Sequence, residues 1–244
     1  MKIQDLEIID RCLFMKKERV LIVGDLHLGY EGYLQEKGWS FPKTQLEETL
    51  SVFKRIFEKT REFGKLKKII LLGDVKHYFA GILKEEFSDF YKVIELLKEN
   101  LTTDGEIIIT KGNHDNILEP IIRNYGFVKL VDYFVLGDTM FFHGHRKSWE
   151  NLEIYDKKIK TFVLGHFHPA ITLQKDAKKE KYKCFLYGKL KKLKKNIIIA
   201  PSFFPLVEGS NILACSEINK RLNISNFEVF AIDGNGVVYD FGKL

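Results

Sequence analysis

The chain has 244 residues, 45% of them hydrophobic and 30% charged, with a formal net charge of +6. That is an ordinary composition for a soluble globular protein, and the length suffices for one large α/β domain over residues 1–244. No apolar run approaches the roughly 20 residues that cross a bilayer, the opening Met1–Cys12 carries acids where a signal peptide is apolar, and the three widely spaced cysteines Cys12, Cys184 and Cys215 speak against a disulfide framework or a thiolate zinc site. The expectation is a cytoplasmic protein that makes no use of a membrane.

Along the chain, β-branched and aromatic runs bounded by turn residues predict buried strands at Val20–Val23, Ile69–Leu72, Ile107–Ile109, Met140–Phe142, Phe162–Leu164 and Ile197–Ile199. Helical spacing of Leu46, Leu50, Phe53, Ile56 and Phe57 predicts a helix over 44–63, and Phe87, Phe90, Val93, Ile94 and Leu97 predict another over 84–99. The first half therefore reads β-α-β-α-β. In the second half strand-like segments crowd together at 127–143, 161–174, 183–187, 197–200, 211–214 and 227–240, with a short helix at 217–222. Asp233-Gly234-Asn235-Gly236 is a hairpin-turn signal. The expected architecture is a single domain of two packed mixed sheets with helices outside.

Five segments follow these strands: Gly24-Asp25-Leu26-His27, Gly73-Asp74, Gly112-Asn113-His114-Asp115, His143-Gly144-His145 and Gly165-His166-Phe167-His168. The carboxyl ends of strands in α/β sheets are where ligand sites form. All seven histidines lie in or beside these segments, His77 just after Asp74. Imidazole with carboxylate is the donor set that divalent transition ions favour. Asp-x-His at a strand end would aim two ligands at one ion, since alternate side chains face the same way. Asp74 could bridge two ions with its two oxygens, Asn113 offers a neutral carbonyl oxygen, and each histidine can bind through one ring nitrogen while the other is hydrogen-bonded outward.

In this order the five blocks resemble the calcineurin-like metallophosphoesterase superfamily, from about Val20 to Pro205. Gly24-Asp25-Leu26-His27-Leu28-Gly29-Tyr30-Glu31, Leu72-Gly73-Asp74-Val75-Lys76-His77 and Gly165-His166-Phe167-His168-Pro169 look most similar to archaeal SbcD-related phosphoesterases. Those in turn resemble the PdeM-type enzymes linked to DNA ligase and helicase genes. The resemblance implies a four-layer α-β-β-α sandwich. It implies that Asp25, His27 and His168 hold one ion, that Asn113, His143 and His166 hold a second, and that Asp74 bridges them. It further implies that His114 acts on substrate phosphate while Asp115 orients its ring. His77 and His145 stay open, as neighbours of the site or as local hydrogen-bond partners. Manganese is the ion suggested, with Fe²⁺, Ni²⁺ and Zn²⁺ also compatible with such donors.

The implied reaction is hydrolysis of nucleotide or nucleic-acid phosphodiesters, cyclic phosphates included, by water activated between two ions. The alternatives are an SbcD-like nuclease component, for which the chain is short of capping and coiled-coil-docking regions, a protein phosphatase, and a non-catalytic binding module. The intact donor set and His114 argue against the last. Residues 178–196 hold nine lysines against one glutamate, with Tyr182, Phe185 and Tyr187 interleaved. They read either as a nucleic-acid-facing strand pair or as a hairpin kept soluble by its lysines. Gly38-Trp39-Ser40-Phe41-Pro42 and His77-Tyr78-Phe79 could put aromatics near the substrate or simply pack. A helicase or ligase partner is implied by resemblance alone.

Overall fold

The computed structural model describes residues 1–40, 42–79, 81, 83–145, 158–176, 178–191, 193–214, 218 and 222–244. Cys215, Phe41 and most of the helix expected at 217–222 lie outside these residues.

The first sheet has seven strands in sequence order. β1 (Lys2–Ile3), β2 (Leu6–Ile9) and β3 (Cys12–Met15) form an antiparallel meander that the sequence patterns did not predict, and it pairs with β4 (Val20–Val23). From there β4, β5 (Leu66–Leu71), β6 (Leu101–Thr110) and β7 (Val128–Val131) run parallel. Parallel pairing needs long crossovers, and all three carry a helix, the one between β6 and β7 only the four-residue Glu119–Ile122. After the short α1 (Tyr30–Glu36), also unpredicted, α2 (Gln45–Thr60) joins β4 to β5, and α3 (Lys84–Glu99) joins β5 to β6. Helix α2 buries Thr49, Val52, Phe53, Ile56 and Phe57 along one stripe. It is shorter than the expected 44–63, because Arg61–Phe63 tighten into a 3₁₀ turn that Gly64 closes at φ 80°.

The second sheet contains β8 (Tyr133–Leu136), β9 (Thr139–Phe142), β10 (Thr161–Leu164), β11 (Pro169–Lys175), β12 (Lys178–Leu190), β13 (Lys195–Ile199), β14 (Ser210–Asn211), β15 (Glu228–Ile232) and β16 (Val238–Lys243). The expected strand at 211–214 reduces to Ser210–Asn211, after which the chain turns. The predicted 227–240 hairpin forms, with Asp233 Oδ1 accepting from Asn235 N and Val237 N at 2.9 and 2.8 Å. Three apolar layers hold the assembly together. One lies between the first sheet and α2 and α3, around Phe53, Ile56, Val93 and Leu97. A second fills the space between the sheets, around Ile70, Leu72, Phe141, Val163 and Ile198. The third covers the outer face of the second sheet, where Ile159, Ile218, Leu222 and Ile224 pack on Phe162 and Leu186. The fold is thus an α/β sandwich of two mixed sheets flanked by helices.

Register explains where a site forms. Val23, Leu71 and Ile109 stand level at the carboxyl ends of β4, β5 and β6. Phe142, Leu164 and Ile199 stand level at the carboxyl ends of β9, β10 and β13. The loops leaving these ends meet where the two sheets abut, so closely that a Cβ at Gly24 would strike the Pro201 carbonyl oxygen.

Candidate metal centre

Five loops bring the predicted residues to one spot. The ligand atoms of Asp25, His27 and His168 lie within 4.8 Å of one another, and so do those of Asp74, His143 and His166. The first group is tied by His168 Nε2 at 3.3 Å from both Asp25 Oδ1 and His27 Nε2. In the second, His143 Nε2 is 3.2 Å from Asn113 Oδ1, 3.2 Å from His166 Nδ1 and 3.3 Å from Asp74 Oδ2. Asp74 Oδ2 also reaches His27 Nε2, at 3.8 Å. One oxygen is therefore common to both groups. The other, Oδ1, accepts the His114 N–H at 2.9 Å. The backbone of the Asn113–His114 loop thus takes one acceptor position on Oδ1, while Oδ2 faces both groups.

The convergence does not arise from strand alternation as expected. β4 ends at Val23, and His27, Asp74, His166 and His168 have φ of 46°, 47°, 67° and 45°. Non-glycine residues in the left-handed region cost on the order of 1–3 kcal/mol each and persist only where their surroundings hold them. Those surroundings are visible. Gln45 Nε2 donates to the His27 carbonyl at 2.7 Å, and the Tyr30 N–H donates to Gln45 Oε1 at 3.0 Å. The buried Glu31 carboxylate in turn accepts from Thr44 N and Gln45 N at 2.8 and 3.1 Å. His27 N donates to Asp74 O at 2.9 Å, coupling two of the loops. Asp25 O accepts from Phe203 N and Phe204 N, and Lys183 holds that loop from below through Ser202 Oγ at 2.7 Å and Phe204 O at 2.6 Å. Glu31, Gln45 and Lys183 were not foreseen as part of the site.

The donors fit a pair of divalent ions. Four imidazoles, two carboxylates and one amide oxygen converge without a thiolate, a borderline-hard set. Bonds of about 2.1 Å at near-tetrahedral angles would set neighbouring donors about 3.4 Å apart, which is close to the spacings here. Tautomers agree. His143 Nδ1 donates to the Leu72 carbonyl at 2.7 Å, leaving Nε2 for a ligand role. Burial, then the neighbouring His168, pushes the His27 imidazole down to about 3, and burial with His143 pushes His166 to about 4. Both rings are neutral at ordinary pH, as ligands must be. Burial alone would raise the Asp25 carboxyl, but the His168 and His143 rings hold it low, and Asp74 is held low against burial by His143. His143 is the exception: burial lowers it, yet Asp74 and Asp25 outweigh that and raise it to about 9.

Around this core the remaining predicted residues divide. The ring of His114 stands 5.0 Å from that of His27 and 5.8 Å from the exposed Phe79 ring, and its Nδ1 faces the His77 carbonyl. Asp115 departs from its expected role. Its Oδ1 accepts Val75 N at 3.0 Å and its Oδ2 accepts Gly112 N at 2.9 Å. Completely buried, it binds the Asp74 and Asn113 loops together, and the His77 carbonyl is what orients the His114 ring. Burial, then the Asp74 charge, raises the Asp115 carboxyl to about 6. His77 Nδ1 lies 3.3 Å from His27 Nδ1. With His27 Nε2 turned to the first group, its Nδ1–H donates to His77. The His145 ring sits 5.4 Å from that of His143, beside the second group. Trp39 is 65% exposed and away from these contacts.

A family model described as calcineurin-like phosphoesterase matches residues 18–226. No curated protein matches. Among solved structures, the chain is similar to the Pseudomonas putida nuclease MPE, at 18% identity and TM-score 0.60, over 95% of this chain and 92% of that one. A conserved protein of Streptococcus pneumoniae described as a predicted phosphoesterase aligns at 13% identity and TM-score 0.39, over 92% and 94% of the two chains.

Proposed function

Because the chain belongs to the calcineurin-like phosphoesterase family, and is thereby a metal-dependent phosphoester hydrolase, we propose that it is a phosphodiesterase acting on nucleotide or nucleic-acid phosphodiesters, with manganese as the activating ion. The observation that carries this reading is Asp74 Oδ2 standing within 3.8 Å of His27 Nε2 and 3.3 Å of His143 Nε2, so that one carboxylate oxygen serves both donor groups. Asp25, His27 and His168 would hold one ion and Asn113, His143 and His166 the other. Bound there, the pair supplies Lewis-acid stabilisation of phosphate oxygens and a water acidified enough to attack phosphorus. The chain's own groups do the rest. Asp74 and Asp25 balance the charge of the ions, and the Leu72 and His77 acceptors fix the two ring orientations on which donor geometry depends. His114, tied through Nδ1 to the His77 carbonyl, keeps Nε2 free of that bond, and a proton there could stabilise phosphate oxygen and pass to the leaving alkoxide.

The motif likeness to SbcD-related and PdeM-type enzymes supports diesters over monoesters and a cytoplasmic setting. The nuclease activity of the P. putida protein makes long DNA the second substrate to try. The test is turnover of bis-p-nitrophenyl phosphate and p-nitrophenyl phosphate with and without Mn²⁺. Metal-dependent cleavage favouring the diester is expected. Preference for the monoester would overturn the substrate class, and absence of metal-dependent turnover of either would overturn the enzyme.

A further inference from the structure

The lysine-rich segment 178–196 looks like one basic patch in the sequence, but the sheet register divides it between opposite ends of the molecule. β12 is antiparallel to β13, with Leu186 level with Ile199 and Leu190 level with Lys195. Ile199 is at the metal-centre end of β13, so the turn carrying Lys191 and Lys194 lies at the far end. In the other direction β12 continues past Leu186 to Lys178, paired with β11 from Lys183↔Ala170 out to Lys178↔Lys175. Beyond Lys183, no strand among the described residues pairs with the other side of β12, since β15 pairs only with Lys183–Tyr187. At about 3.3 Å per residue, the hairpin reaches roughly 17 Å from Lys183 to Lys178, away from the carboxyl edge of the sheet. Its root is the metal centre itself, because His168 immediately precedes β11.

The two faces of this arm differ. Ile171, Leu173 and Tyr182 pack on the outer core of the second sheet. Alternation places Lys179, Lys181 and Lys183 on the opposite face, opposite Gln174, Thr172 and Ala170 on β11. That face is continuous with the site. Lys183 donates to Ser202 and Phe204, and the Phe204 ring stands 5.9 Å from the His27 ring. Lys183 is consumed by these contacts, and Lys181 reaches the Gly209 carbonyl at 3.4 Å and Glu208 at 3.7 Å, while Lys179 is exposed further out. The basic face thus starts beside the first donor group and runs outward.

Resting on the phosphodiesterase reading above, we propose that the β11–β12 arm is a track for the sugar-phosphate backbone of a polynucleotide, with Lys179 and Lys181 meeting phosphates flanking the one at the metal centre. A linear run of cations leading from the site fits a linear polyanion. A small cyclic or dinucleotide substrate would not reach it.

The test compares Lys179→Ser/Lys181→Ser on the arm with Lys191→Ser/Lys194→Ser at the far turn, in the Mn²⁺-loaded protein. The substrates are a single-stranded oligonucleotide and bis-p-nitrophenyl phosphate, and oligonucleotide binding is read separately by fluorescence anisotropy against salt. For the arm variant the ratio of oligonucleotide to small-diester kcat/KM should fall at least tenfold. The slope of log affinity against log salt should lessen by about 1.4, at roughly 0.7 per phosphate contact. The far-turn variant should match the parent. Equal effects from the two pairs, or a parent whose oligonucleotide binding does not depend on salt, would overturn the track, as would arm lysines that matter only to an acidic protein partner. If the double variant does not fold, Lys179→Ser alone is measured, with half the slope change expected. Failure of the small diester itself would instead refute the phosphodiesterase reading.

Discussion

The two donor groups of the metal centre are built differently. Around His143 the structure is rigid: the ring is fully buried and its Nδ1 is tied to a backbone carbonyl within a sheet-end loop. Around His27 the ring leans on another side chain, His77, and its backbone is kept left-handed by Gln45 and Glu31. His168, the partner of His27, has a side chain 21% exposed. The His143 group is also the one that holds an extra proton without metal, since Asp74 raises that ring to about 9 while His27 is neutral down to about 3. One half is thus pre-shaped but proton-blocked, and the other is proton-free but dependent on outer contacts. Asp74 Oδ2 links them.

Cutting that link should have the largest effect. Asp74→Asn keeps the shape but removes the shared charge, so bound metal measured by mass spectrometry should fall from two equivalents to one or fewer, with turnover at background. Retention of both ions would show the halves to be independent. His114→Ala comes next: turnover should drop about 10²–10⁴-fold, the usual scale of general acid help, with both ions retained. Loss of metal here would make His114 part of the first group. His77→Phe separates the halves. Losing the acceptor for His27 Nδ1–H should weaken the first ion by about 10–100-fold, the scale of such outer contacts, and leave the second alone. Parallel weakening of both ions would remove the distinction.

Much of the centre was legible because its donors are chemically unusual and sit at strand ends. Asp25, His27, Asp74, Asn113, His143, His166 and His168 are polar residues following apolar runs, and parallel register brings such ends level. What holds them was not legible. Gln45 and Glu31 look like ordinary polar residues in the sequence, and only the fold brings Gln45 against the His27 carbonyl and Glu31 against the Gln45 N–H. Histidine and aspartate are enriched at left-handed φ, but that enrichment does not say which of them adopt it. The family resemblance implied that Asp115 orients the His114 ring, but its burial turns it toward Val75 and Gly112 instead. The meander Lys2–Met15 has no readable strand period, because its strands are only two to four residues long. Composition could find nine lysines within 178–196, but only register could say which of them stand near the site.

The smallest expected effect is also the most direct measure of the difference between the halves. A metal ion at the His143 group must take the Nε2 lone pair, and in the metal-free protein that ring is protonated until about pH 9. Between pH 6.5 and 8.5 binding there should release up to one proton, and affinity should rise with pH by at most about tenfold per unit, flattening above pH 9. His27, in the first group, is neutral throughout this window, so it adds no such slope to binding there. Titration calorimetry in two buffers of different ionisation enthalpy separates the cases. The metal-free fold should show the opposite trend. A histidine raised from an unfolded value of about 6.5 contributes stability that is complete below that pH and fades as pH climbs through about 9. Alkaline conditions should therefore strengthen metal loading while softening the empty protein, and thermal melts at pH 6.5 and 9, with and without Mn²⁺, should diverge. Equal proton release from both groups, or a metal-free melting temperature that rises with pH, would show that His143 does not carry the proton that sets the halves apart.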